Sequence, residues 1–273
     1  MPDDRLTGRR DAGILYYAIG AQYLDECVTS ARSVRACMPG LPLALVTDRV
    51  PPESLFDIVL PPADGLGFKA QKMAALKHSP FEKTVYLDTD TFMAAPVPEL
   101  FDALDDYDIA MALSARQRLS DRYGGVPDCA PTWNSGVVAY LRSAPVLELF
   151  DAWLELHGDD NGQDQPPLRK AIYQSGLRCL PLPARYNFKL EFPQSLTHDV
   201  KILHGRHQDL APLAGKLRAG GDVVAHLPVE FLSRTRILGK KTPGPRMSEM
   251  VKQGLKFLAG NRDRPGPNRR TGS

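Results

Sequence analysis

Cysteine is scarce in this chain and follows no pattern. The four cysteines among 273 residues (Cys27, Cys37, Cys129 and Cys179) share no Cys-x-x-Cys spacing. That argues against a zinc site and a disulfide framework, and for a reducing cytoplasm. No apolar run reaches the length of about 18 residues that a membrane-spanning helix needs. Residues 1–12 are polar and charged, so no secretory leader is expected. No internal repeat is visible, which removes solenoids and propellers. Charge of one sign is also lacking, since 34 Lys and Arg against 32 Asp and Glu give a net +2. This near balance conceals an asymmetry. Residues 233–273 hold 11 basic residues against 2 acids, and residues 1–232 hold 23 against 30. The basic end lacks interleaved aromatics and any nucleic-acid motif, so no nucleic-acid partner is expected.

What the chain does have is a buried-looking run, Thr84 to Leu87, that ends in Asp88-Thr89-Asp90. Four to eight apolar residues bounded by a turn read as a strand. Residues two apart on a strand face the same way, so both carboxylates can serve one site. Paired hard oxygen ligands suit Mn2+ or Mg2+, ions that keep open positions for substrate phosphates. Two chemistries use such a pair after a strand. One is transfer of a sugar from a nucleotide, where the ion holds the diphosphate. The other is phosphate-ester hydrolysis of the haloacid-dehalogenase type, with Asp88 as nucleophile and Asp90 as acid and base. That second pattern wants Thr or Val where Phe92 stands, and it belongs on a first strand, whereas three strands precede this one.

Hydrophobic periodicity sets the surrounding elements. Gly13 to Ile19 reads as a strand ending at Gly20, followed by a helix with Leu24, Cys27, Val28, Ala31 and Val34 on one face. Leu43 to Thr47 and Asp57 to Leu60 read as strands, and Phe68, Met73 and Leu76 mark a helix. Strands follow over 108–113 and 136–141. A helix opens at Ser143 and Pro145 and breaks at Asn161-Gly162, and another runs from Gln163 to Gly176. A strand over 200–203 delivers His204. Alternating strands and helices predict an α/β fold with a mostly parallel sheet whose ligands bind at the carboxyl ends of the strands.

The order of these motifs resembles the GT-A glycosyltransferases, in particular the retaining family 8 group that includes glycogenin and lipopolysaccharide galactosyltransferases. The similarity covers roughly residues 13–207. It rests on Tyr16 to Tyr23, Lys69-Ala-Gln-Lys72, Tyr86-Leu-Asp-Thr-Asp90, Trp133-Asn-Ser-Gly-Val137, Gly162-Gln-Asp-Gln165, Arg185-Tyr-Asn187 and the strand ending at His204. It implies a hexosyltransferase that takes a UDP-sugar and passes the sugar, with retention, to a glycan or lipid-linked acceptor. Asp88, Asp90 and His204 would hold the ion, with Asp88 also near the ribose. Ala18, Ile19 and Tyr23 would line the base pocket. Lys69, Lys72, Gly205 and Arg206 would attend the diphosphate, and Asn134, Asp164 and Gln165 would surround the anomeric carbon. Read by itself, Asp164 is equally a helix N-cap, and His204 a satisfied buried histidine.

One feature departs from the resemblance. Members of the family often continue from this histidine as His-x-x-Gly-x-x-Lys-Pro-Trp, whereas here His204 is followed by Gly205-Arg206-His207-Gln208, so the phosphate-contacting lysine is absent from that position and Arg206 or His207 would replace it. A site compromised in this way would suit a non-catalytic sugar-nucleotide-binding protein. Beyond a domain over 13–232, the segment 233–273 reads as a basic tail. Within it Met247, Met250, Val251, Leu255 and Leu258 share one helical face beside Lys252 and Lys256. Such a helix either packs on the body of a cytoplasmic protein or holds that protein peripherally on the anionic inner face of a membrane.

Overall fold

The computed structural model describes residues 11–52, 55–114, 124–158, 163–191, 194–196, 200–206, 210–219, 223–226 and 236–238. Its centre is a seven-stranded sheet in the order β3-β2-β1-β4-β7-β6-β8. These strands are β1 (Ala12–Ala18), β2 (Leu43–Thr47), β3 (Ile58–Leu60), β4 (Lys83–Leu87), β6 (Ile109–Leu113), β7 (Trp133–Leu141) and β8 (Cys179–Leu182). Between β4 and β6 lies a short strand, β5 (Thr91–Met93). Every residue of β1, β2 and β4 is buried, the reason β1, β2 and the second half of β4 read as continuous apolar runs rather than alternating ones.

Successive residues of β1 feed opposite faces of the sheet. Ile14 and Tyr16 enter one core with Leu24, Cys27, Val28, Ala31 and Val34 of α1 (Ala21–Cys37) and with Phe101 of α3 (Glu99–Asp102). Leu15 and Tyr17 enter the other. There they meet Met73 and Leu76 of α2 (Phe68–Lys77), Phe150 and Trp153 of α4 (Ala144–His157), and Leu168 and Ile172 of α5 (Gln165–Ser175). The two cores make a three-layer α/β domain.

The sheet is mostly parallel, with one reversal. β7 runs antiparallel to both β4 and β6. The helix expected to break at Asn161-Gly162 stops earlier, at Gly158 with φ +61, and residues 161–162 lie outside those described. The last predicted strand is shifted, to β11 (Ile202–His204).

Two smaller sheets stand beside the main one. The first, β5-β11-β9, includes β9 (Phe188–Lys189) and sets His204 opposite both Thr91 and Lys189. The second contains β10 (Gln194–Leu196), β12 (Val223–His226) and β13 (Arg236–Leu238). The predicted boundary at 232/233 falls between β12 and β13, which pair antiparallel. A further helix, α6 (Leu210–Ala219), follows β11. The amphipathic segment 246–259 and His207 lie outside the described residues.

Candidate metal and sugar-nucleotide site

The carboxyl end of β4 delivers Asp88 and Asp90 to the floor of a cavity of about 260 Å³. The small sheet closes on them from the other side. Gly205 N–H donates to Asp90 O at 2.9 Å, so β11 docks on the backbone of the acidic loop. His204 Nε2 then lies 3.3 Å from Asp90 Oδ1 and 3.7 Å from Asp88 Oδ2. One ligand atom from each of Asp88, Asp90 and His204 falls within 4.8 Å of the others.

The orientation of His204 is fixed by a chain of hydrogen bonds with a backbone group at its start. Gly136 N–H donates to the Asn134 side chain at 2.9 Å, so the atom it meets is the amide oxygen. The same oxygen accepts from Asn187 Nδ2 at 2.8 Å. Asn187 therefore turns its own oxygen to His204 Nδ1, at 2.6 Å. Nδ1 therefore donates to Asn187, and Nε2 is aimed at the carboxylates. This is how a ligating histidine is held, with its far nitrogen donating to a fixed acceptor.

The packing leaves no room for a side chain at Gly136. A Cβ there would sit 2.0 Å from His204 Cε1 and 2.7 Å from Asp88 Oδ2. Two carboxylates, an oriented imidazole nitrogen and a neighbour with no side chain fit a divalent cation. Burial opposes the charge on Asp90, but His204, Lys189 and Arg206 outweigh it and hold the carboxyl below its usual range.

A second cluster adjoins the first. Lys72 and Lys69 share a face of α2, as their spacing predicts. Lys72 Nζ lies 2.8 Å from Asp88 Oδ1 and 3.6 Å from Asp164 Oδ2, and Lys69 Nζ is 3.9 Å from Asp164 Oδ1. Burial pushes the Lys72 ammonium down, but Asp88 and Asp164 reverse this and raise it, so it stays charged. Tyr86 donates its hydroxyl to Asp88 Oδ1 at 2.8 Å.

Asp164 occupies the N-cap position of α5, yet its side chain makes no capping bond. Its Oδ2 accepts from Ser135 Oγ at 2.6 Å instead, and its backbone carbonyl is anchored by Trp153 Nε1 at 2.8 Å. Burial opposes its charge, but Lys72, Ser135 and Lys69 prevail and lower its pKa.

Tyr23, Lys69, Lys72, Asp88, Asp90, Asn134, Asp164, Gln165, His204 and Arg206 all line this one cavity. Ala18 and Ile19 are not among its lining residues, and Ala18 is wholly buried in the core. Gly205, at φ +134, lines an adjoining cavity of about 480 Å³ that shares Thr89, Asp90 and Arg206 with the first. Residues that the motif reading missed also contribute. Tyr17, Phe68, Ser135 and Lys189 line the main cavity, Gly136 makes room for His204, and Glu26 accepts from Arg206 Nε at 2.7 Å. Sequence spacing carried no signal for Lys189 or Glu26, because both reach the site from elements far from the acidic loop in sequence.

The sequence matches no protein-family profile and no curated protein. Solved structures do match. An active-site mutant of LgtC superposes with a TM-score of 0.55 at 17% identity, covering 80% of this chain and 98% of its own. GlyE, a glycosyltransferase of Streptococcus pneumoniae TIGR4, gives 0.52 at 14%, covering 95% of this chain, which spans 66% of the GlyE chain. Mouse xyloside xylosyltransferase 1 gives 0.51 at 14%, covering 72% of this chain and 98% of its own. The chain has the GT-A fold of these glycosyltransferases.

Proposed function

We propose that the chain is a metal-dependent glycosyltransferase that moves a sugar, with retention, from a nucleoside diphosphate sugar to a glycan or lipid-linked acceptor. The observation that carries this reading is the convergence of Asp88, Asp90 and an oriented His204 on one cavity that also holds Lys69, Lys72, Lys189 and Arg206. Three acids and four basic side chains there suit an anionic donor once a divalent ion is added. The fold match supports the reading and counts against the haloacid-dehalogenase alternative, whose nucleophile belongs to another fold. A non-catalytic binding protein would not need the full set of acids and cations assembled here.

Asp88, Asp90 and His204 would hold Mn2+ or Mg2+, which when bound neutralises charge on the donor diphosphate. The chain's own groups do the rest. The C1–O bond to phosphate breaks, the acceptor oxygen bonds to C1 on the same face, and the acceptor proton passes to the departing phosphate oxygen. Asp164 is kept ionised by Lys72 and Ser135, so it cannot act as a general acid. It opposes the positive charge that develops at the anomeric carbon. Asn134 and Gln165 orient sugar hydroxyls, and Tyr23 and Phe68, with ring centroids 5.0 Å apart, offer the base an aromatic wall. UDP is the nucleotide chosen, on the resemblance of the motifs. No helix among the described residues is long and apolar enough to cross a membrane, and attachment to a membrane surface is assigned to segment 246–259.

Calorimetric titration with UDP, GDP and CDP, with and without Mn2+, tests the reading beside Asp90→Ala. One diphosphate should bind only with metal, and the variant should lose it. Failure of all three to bind would refute it.

A further inference from the structure

The cations of the cavity fall into two groups. Lys69 and Lys72 face Asp164, and Lys72 is also committed to Asp88 at 2.8 Å. The second group, Lys189 and Arg206, lines the same cavity together with Asp90. Arg206 is engaged by Glu26 at 2.7 Å and 3.4 Å, its guanidinium stands 5.8 Å above the Tyr23 ring, and its side chain is 59% exposed.

Lys189 is differently placed. It pairs across β9 and β11 with His204, and residues directly opposite on neighbouring strands project to the same face of a sheet. Its side chain is only 13% exposed, and it lines the cavity together with Asp90 and His204. Its carboxylate neighbour Glu191 is 3.9 Å away and 59% exposed. A charge in so enclosed a position acts through a lower effective dielectric than one at the rim, and is worth more to an anion.

We propose that Lys189, presented by β9 beside His204, is the lysine that contacts the donor diphosphate and stabilises the nucleoside diphosphate as it leaves. This rests on the glycosyltransferase reading above and adds to it the residue that meets the phosphate charge. Lys189 also bears on the metal, because a cation beside Asp90 and His204 repels a divalent ion. Its removal therefore has effects of opposite sign on the two ligands.

The test titrates wild type, Lys189→Met and Lys189→Arg, first with Mn2+ alone and then, at saturating Mn2+, with whichever of UDP, GDP or CDP the wild type binds. Lys189→Met should bind the diphosphate about 10- to 100-fold more weakly, the range for losing one hydrogen bond to a charged group. It should bind Mn2+ as well as or better than wild type, and Lys189→Arg should recover most of the diphosphate affinity. Equal weakening toward both ligands would mean that Lys189 only supports the site, and would overturn the proposal. So would an unchanged diphosphate affinity, with the glycosyltransferase reading left standing. A wild type that binds no nucleoside diphosphate would overturn both. If Lys189→Met does not fold, Lys189→Gln carries the same prediction.

Discussion

Asn187 Oδ1 accepts a hydrogen bond from His204 Nδ1 at 2.6 Å, and this contact decides which face of the imidazole the acidic loop meets. Replacing Asn187 with Ala removes the acceptor and leaves a buried N–H without its partner. Partners of this kind behind a metal-bound histidine are worth about 10- to 100-fold in affinity. Mn2+ titration followed by electron paramagnetic resonance should show a loss in that range for Asn187→Ala.

Gly136→Ala should be the more severe change. The added methyl group meets His204 Cε1 at 2.0 Å and Asp88 Oδ2 at 2.7 Å, so the imidazole has to leave its position. The strand itself tolerates alanine, and overpacking of this size costs about 1–3 kcal/mol. The expected outcome is a folded protein, by circular dichroism, with Mn2+ binding abolished.

Lys72 supplies positive charge to two carboxylates, and the Asp164 side chain is the more buried of them, at 14% exposed. Lys72→Met leaves Asp164 with Lys69 alone at 3.9 Å. Breaking a buried pair by deleting one partner costs about 3–5 kcal/mol. Urea unfolding should show a loss near the lower end, since Asp88 keeps 28% of its side-chain surface in water. In Lys72→Met/Asp164→Asn the two losses should be less than additive.

Asp164 also gives the stability a defined dependence on pH. Its folded-state pKa lies below the ordinary carboxylate value of 3.8. The unfolded chain therefore binds its proton first as pH falls, and the stabilisation is complete above that value. It disappears as pH drops through the lower folded pKa. Melting temperatures measured from pH 6 down to pH 3 should fall more steeply for wild type than for Asp164→Asn. Parallel curves would show that Asp164 contributes nothing to acid sensitivity.

Much of the fold is legible in the sequence because its signals are local. β1, β2 and the second half of β4 announce themselves as apolar runs because they are buried on both faces. The apolar face read for α1 (Leu24, Cys27, Val28, Ala31 and Val34) is the face that is buried. The short strands β5 and β9 were not legible. With three and two residues, they carry no period of their own and exist only through pairing with β11. β7 is legible as a strand, but its direction is not, since direction depends on the connection and not on the residues of the strand.

The sequence by itself determined the class of the protein, the strand that ends in Asp88 and Asp90, and the chemical types gathered near it, because periodicity and hard-oxygen chemistry are written in neighbouring residues. Tertiary structure alone decided which distant side chains complete the site. It took Asp164 out of the capping role that its position suggested and turned it toward Lys72 and Ser135. It left Ala18 in the core, and brought Lys189 to the main cavity and Glu26 to the adjoining one, both far in sequence from Asp88 and Asp90. The physical reason is that a hydrogen bond or ion pair depends on distance and direction. Those are set by how β5, β9 and β11 pair beside the main sheet, and no spacing along the chain records that pairing.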